Sequence, residues 1–515
     1  MALLLVCCTT CGAVAQKGSI LMLRSLRDST KKVRHEVLSP LDFGLNEARS
    51  DTARYRVLLR THQEAVRRGA DISYEGVGRL SIELPPDAVS IPLPHRCDFA
   101  GTRLHVSNDA KNMTLFVMSN AAQDVEVDAS LLDGGDFTSV EQLRQGWKLL
   151  VLSDKEPWVA ERIGYGYAAM RSDVLLLHDG HALNSAAMPY AAPPSRPTTR
   201  VVSVDDDDKW VRDLVIDRAE GAAFKTNCFS FSGVNGLRLE QITINTPYDP
   251  KKYADAAVHF GTCTNIEVND MVINGTYSQQ HEYGYGISMN NTWNVVFNRL
   301  KATGAWGVFG TNNISNTTLN HCDVNRFDIH CYGRNAYFRG CTFRGQHVQY
   351  GSGFGEIVYD SCTFEQCHPV FIRPEYNAYT PMDVVLRHCI IYATPQKDCV
   401  LKVGRLDTPP NSRPELTQKC WPNVVMEDVT VVLSRITQRF YLYKVDGRVR
   451  KQPPVGYLNH IRIKDLHVRY TSRTRKPDFY LCNKPVRAAS AVECELSGLD
   501  MVRSKLGYNI EPIAE

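Results

Sequence analysis

The chain has 515 residues, with 43% hydrophobic and 22% charged side chains. That is long enough for a sizeable core and ordinary for a globular protein in water. A formal charge of +3 gives no ground for a nucleic-acid partner, and past the first residues no run reaches the ~18 apolar residues a membrane span needs.

The opening MALLLVCCTTCGAVAQ combines an apolar stretch with Ala13-Val14-Ala15, a small-residue cleavage site before Gln16. It reads as a secretory signal over residues 1–15 and predicts an exported protein, secreted or periplasmic. It lacks a positive leading region. Cys7, Cys8 and Cys11 raise a lipoprotein alternative, but none follows the small residue a lipobox requires. Residues 16–40 form an N-terminal extension whose Lys17–Arg34 stretch carries six basic residues and one acid. Its plain reading is solvated surface.

Residues 41–133 begin with Asp42-Phe43-Gly44 and then a helix capped at Ser50 or Asp51. Its apolar stripe is Tyr55, Leu58, Leu59, His62 and Val66, and Gly69 stands where a C-terminal cap belongs. Strands and the Pro85-Pro86 turn follow. Residues 134–200 break the pattern and read as an insertion packed beside the main body. The run Asp205–Asp208 invites Ca2+, yet consecutive residues of alternating direction make a poor cage. No obligatory cofactor or metal is predicted.

From residue 235 onward one pattern recurs: apolar-x-apolar, two polar residues, apolar-x-apolar. The first copies are Leu237/Leu239–Ile242/Ile244, Ile266/Val268–Met271/Ile273 and Val295/Phe297–Leu300/Ala302. The series runs on through Cys322, Cys341, Cys362, Cys389 and Val429 to Leu466. Counted at the residue after each polar pair, the spacings are 29, 29, 22, 19, 21, 27, 40 and 37 residues. Period-two strands joined by fixed corners, with length variation at one point, predict a solenoid: a parallel β-helix over residues 201–470. The four cysteines then stack inside successive coils as small apolar thiols, although coil spacing would just permit a disulfide. They lack CxxC spacing and cannot form a tetrahedral zinc site. Residues 471–515 read as a C-terminal cap.

The front end resembles the pectin-lyase-like superfamily of right-handed parallel β-helix proteins. The resemblance rests on Asp42-Phe43-Gly44, Asp51, Thr52 and Leu84-Pro85-Pro86, with Asp87 where glycine is usual. It covers roughly residues 40–100 and 230–470. It implies the fold, with an exported polysaccharide lyase as the nearest likeness, but it does not fix the activity, since the superfamily hosts lyases, hydrolases, epimerases and phage depolymerases.

A β-helix buries its strand interiors, so chemistry falls to outward side chains and long connections. Four connections are rich in His, Tyr and Arg: NGTYSQQHEYGYGISMNN, NRFDIHCYGRN, RGQHVQYGSGFGE and EQCHPVFIRPEYNAY. Within the second, Phe327, Ile329 and Cys331 are expected to turn inward as a third strand. Coils in register would align the outward residues into a groove. For β-elimination on a uronic-acid glycan, an arginine meets the carboxylate while a base takes the C5 proton and an acid protonates the leaving oxygen. The catalytic candidates are His330, His347, Tyr350, Arg326, Arg373 and His281. Tyr283, Tyr285, Trp306, Asp328, Tyr332, Arg334, His368, Glu375 and Tyr376 are the substrate-binding candidates. Glycosaminoglycan is slightly preferred over alginate or pectin.

Two alternatives stay open. A glycoside hydrolase needs paired carboxyl groups, for which Asp328, Glu356 and Glu375 are available, but no tight Asp-Asp motif of the polygalacturonase kind occurs. A non-catalytic glycan-binding β-helix or adhesin would need the aromatics alone. Five N-x-S/T sequons, at Asn112, Asn274, Asn290, Asn313 and Asn316, are read as turn asparagines. A monomer is expected.

Overall fold

The computed structural model describes residues 36–107, 113–154, 171–186, 197–219, 227–246, 256–275, 285–303, 307–330, 333–345, 347–350, 353–372, 382–403, 422–434, 439–445, 460–470, 478–483, 486–488, 493–497 and 510–512. The expected signal peptide and the basic stretch before residue 36 lie outside them.

The cap helix is Asp51–Arg68. The Ser50 hydroxyl accepts a hydrogen bond from the Ala53 amide (3.1 Å), satisfying one amide of the first turn, and Gly69 closes the helix at φ 65°. The buried face is Tyr55, Leu58, Thr61, His62 and Ala65. Val66, expected in the stripe, is 48% exposed, because Thr61 and Ala65 take the positions nearest the solenoid. His62 is wholly buried. Its Nδ1–H donates to the Pro92 carbonyl (2.9 Å), so Nε2 accepts from the Tyr74 hydroxyl (2.8 Å). Burial holds its pKa down at about 4.

The main body is a right-handed parallel β-helix. Its register is continuous: Leu239 pairs with Val268, then Phe297, Leu319, Phe338, Tyr359, Leu386, Met426 and Ile463, every step parallel. Each coil contributes to three sheets. The first carries stretches such as Phe327–Ile329 and His368–Ile372, the second Gly333–Arg339, and the third Thr342–Arg344. At every polar corner between the second and third sheets the second residue is left-handed, from Gln241 (φ 55°) through His321 (φ 53°) to Asp465 (φ 54°). Such a conformation costs a non-glycine residue about 1–2 kcal/mol. It is held by bonds to the next coil, for example His321 N–H to Arg339 O (2.7 Å) and Ser361 N–H to Arg387 O (2.9 Å).

Cys322, Cys341, Cys362 and Cys389 form the expected interior file, each 1% exposed and each a free thiol. Their Sγ atoms donate to carbonyls of the preceding coil, as in Cys341 to Leu319 O (3.3 Å). Aromatic rings stack at the same coil spacing, with Phe343 over Phe364 at 5.4 Å. Asparagines repeat likewise at the surface: Asn335 donates to Asn316 and Asn312 to Asn290, both at 2.9 Å. Asn274 donates to Asn245 (2.8 Å), so three of the sequon asparagines belong to hydrogen-bonded asparagine pairs between coils.

Two boundaries differ from expectation. The insertion is a five-stranded antiparallel sheet reaching from Ala122 to Ser203. Its strand Trp147–Asp154 alternates between two apolar layers, Leu150 and Leu152 on one side, Leu149 and Val151 on the other, and the second layer packs against Trp293 of the solenoid. At the far end, Asp478–Cys482 and Glu493–Ser497 still pair in parallel with the coil before. The solenoid thus runs beyond residue 470.

The aspartate run is organised by a lysine. Lys209 is 2% exposed; its ammonium meets the Asp205 carboxylate, the Asp207 carbonyl (3.1 Å) and the Asn235 carbonyl (3.2 Å). Among the described residues, three metal-ligating side chains come together at His95, Asp205 and Asp207, and Lys209 already balances the charge of Asp205.

Candidate active site

Phe327 and Ile329 are fully buried, in line with Phe309 and Thr311 of the coil before. Strand alternation therefore sends Arg326, Asp328 and His330 to the outer face of the first sheet. There the three converge. Arg326 Nη2 lies 2.6 Å from Asp328 Oδ2, and His330 Nε2 lies 3.0 Å from the same oxygen. The hydroxyl of Tyr285 is 3.5 Å from both Asp328 Oδ2 and His330 Nε2, within reach though not a tight bond.

Each residue is placed by its neighbours. The Thr311 hydroxyl donates to the Asp328 carbonyl (2.7 Å), and the Asn325 side chain accepts from the Val308 amide (3.0 Å). The Tyr285 ring crosses the surface of the next coil, where Gly307 and Gly310 leave room. A Cβ on Gly310 would stand 2.7 Å from the ring, and one on Gly307 would stand 2.9 Å from Arg326 Cδ. These glycines are needed for close approach.

The outcome corrects several expectations. Arg326 is 3% exposed and Asp328 0%, so neither lies open to a substrate. They form a buried ion pair under the site, so Arg326 is not placed to meet a substrate carboxylate. His330 keeps about a quarter of its side chain exposed. His368 is 2% exposed, its Nδ1–H donating to Cys399 O (3.2 Å); it is interior, not groove. Burial, with help from Lys397, holds its pKa down at about 3. Arg334 leans on the inserted sheet through Ser185 Oγ (3.0 Å) and Ala186 O (3.2 Å), away from the groove. Glu356 belongs to the second sheet, where Tyr337 donates to it (2.8 Å); burial foremost, and that carboxylate next, raise the Tyr337 pKa. His347 and Tyr350 occupy first-sheet positions opposite His368 and Ile372. His281, Tyr283, Trp306, Cys331, Tyr332, Arg373, Glu375 and Tyr376 lie outside the described residues.

Three lysines lie farther along the solenoid, around His368. Lys397, Lys402 and Lys444 each act electrostatically on His368, and burial, more than any neighbouring charge, lowers the pKa of Lys397. Lys444 is bound by both oxygens of Asp398 at 2.7 Å. Lys402 lies over the Phe371 ring, 5.2 Å from its centroid. In sequence, Lys402 stands between Leu401 and Val403, the outward slot of a period-two strand. That period-two position is the sequence signal that locates Lys402.

No protein-family model matches the chain, and no curated protein sequence matches it. Among solved structures it is similar to the tailspike protein gp49 of Pseudomonas phage LKA1, at 14% identity over 90% of this chain and 83% of that one, with a TM-score of 0.49. It is similar also to the tailspike gp61 of Pseudomonas phage phi297, at 11% identity over 87% and 84%, with a TM-score of 0.44. A third is the catalytic domain of a GH87 alpha-1,3-glucanase in complex with nigerose, at 13% identity over 88% and 69%, with a TM-score of 0.39. The β-helix itself is established by the parallel register from Leu239 to Ile463.

Proposed function

We propose that this protein is a glycan-degrading enzyme: a polysaccharide lyase that cleaves an acidic, uronic-acid-containing chain by β-elimination. The observation that carries the reading is the contact of His330 Nε2 with the buried Asp328 carboxylate at 3.0 Å. An ionised Asp328, held by Arg326, fixes the His330 proton on Nε2 and leaves Nδ1 as the basic nitrogen, the orienting logic of a base backed by a carboxylate. His330 takes the C5 proton of the uronate. The electron pair forms the C4–C5 double bond as the C4–O bond breaks, and the leaving oxygen takes a proton from the Tyr285 hydroxyl.

The sign of the substrate follows from the charges nearby. Arg326 and Asp328 neutralise each other beneath the surface, while farther along the same sheet Lys397, Lys402 and Lys444 outnumber the acid Asp398 that Lys444 binds, and a cationic surface concentrates an anionic polymer. Hydrolysis finds less support. Asp328 is engaged by Arg326 and His330, and Glu356 faces another sheet. The test is incubation with hyaluronan, heparan sulfate, alginate and polygalacturonate while following the ultraviolet absorbance of unsaturated uronate. A rise supports elimination. New reducing ends without absorbance would overturn it in favour of hydrolysis.

A further inference from the structure

Outward positions of the first sheet form a file that continues past the catalytic candidates. Asp328 registers with Gln349, Gln349 with Phe371, Phe371 with Lys402, and Lys402 with Lys444. At roughly 4.8 Å per coil, Lys402 stands about 14 Å and Lys444 about 19 Å from Asp328 along the solenoid axis. Lys397 adds a third ammonium near His368, and Asp398 is the acid bound by Lys444. Positive charge therefore remains in excess at a position well separated from the reacting centre. Phe371, under Lys402, adds an aromatic face of the kind sugars pack upon.

We infer that Lys402 and Lys444 form a distal subsite for the carboxylate or sulfate groups of an acidic glycan lying along the axis, so that the protein measures substrate length. This rests on the reading above that the ligand is an acidic glycan, but not on the elimination chemistry. A disaccharide at Asp328 falls short of Lys402, whereas a longer chain spans both. Binding should then strengthen with length until the second lysine is reached and level off beyond it. The gain should fade at high salt, as attraction between partly exposed charges does.

Labelled oligogalacturonates and hyaluronan oligosaccharides, from disaccharide to octasaccharide, would be titrated by fluorescence anisotropy against the full chain. The variants are Lys402→Ala, Lys402→Arg and the pair Lys444→Ala/Asp398→Asn, which avoids stranding the Asp398 charge. The expected result is a length-dependent gain, reduced by up to about fivefold for each lysine lost and kept in Lys402→Arg, with disaccharide binding unchanged. Affinity independent of length, a gain that survives in both alanine variants, or no binding by any oligosaccharide overturns the inference. Length-dependent binding without turnover would sink the lyase chemistry and leave the subsite standing.

Discussion

Asp328 Oδ2 receives Arg326 Nη2 at 2.6 Å and His330 Nε2 at 3.0 Å, so one buried oxygen ties a structural cation to a half-open imidazole. The two contacts have separable consequences. Losing His330 removes a group at the surface. Losing the charge of Asp328 strands a guanidinium that is 96% covered.

His330→Gln is expected to lower turnover of the acidic glycan by at least about a hundredfold, the usual range for removing a general base. Its denaturation midpoint should stay near that of the parent. A variant that keeps full turnover removes His330 from the mechanism.

Asp328→Asn should cost both activity and stability. Breaking a buried pair by neutralising one partner typically costs about 3–5 kcal/mol, read as a lower urea midpoint. Unchanged stability would mean that the Arg326 contact contributes nothing to the fold.

Gly310→Ala separates shape from charge. The added methyl meets the Tyr285 ring at 2.7 Å, while the backbone there carries the ordinary strand register with Asp328. Turnover should fall roughly as far as in Tyr285→Phe, with melting little altered. If Gly310→Ala stays active where Tyr285→Phe does not, the ring has another way of reaching His330.

The cap helix sets an acid limit on stability. His62 titrates near 4 when folded, against 6.5 for an ordinary imidazole. Between those values the unfolded chain binds more protons than the folded one. The contribution of this residue is therefore complete above about pH 6.5 and is lost as the pH falls toward 4, by about 3 kcal/mol. Urea unfolding at a series of pH values should show this slope, and His62→Gln should reduce it, leaving the part that buried His368 contributes, while lowering stability at neutral pH. An identical slope in the variant would assign the acid sensitivity elsewhere.

The cysteine file predicts indifference to redox conditions. Cys322, Cys341, Cys362 and Cys389 should stay reduced in oxidising buffer and react with a thiol reagent only after denaturation. A disulfide mapped to any of the four, or labelling of one in the folded protein, would contradict buried free thiols.

The scaffold was legible because its rule is local and repeated. Apolar alternation around a polar pair located the corners from Gln241 to Asp465 and put Phe327 and Ile329 inside. The ends of the insertion were not legible, since Ala122–Asp124 has no apolar alternation and joins its sheet only through partners far along the chain. Of the site, the histidine-rich loops pointed to Arg326, Asp328, His330 and Tyr285. Their roles were not recoverable, because burial of Arg326 depends on Tyr285 crossing two glycines. His368 misled for another reason: it shares strand parity with the buried Val370 and Ile372, and the irregular register beside His347 hides that parity in a count of residues past the corner.

The left-handed corners also govern how such a chain can change over generations. Each turn from the second sheet to the third is two residues long, and the spacing from copy to copy varies between 19 and 40 residues. That variation is confined to the bends on either side of the first sheet: before it in the early copies, as between Asn274 and Tyr285, and after it in the longest ones, as between Val403 and Asn423. Loops beside Asp328 and Lys402 can thus be lengthened, exchanged or recombined without disturbing the register beneath them. The solenoid works as a fixed rack, and new ligand preferences can be acquired by replacing what hangs on one side of it.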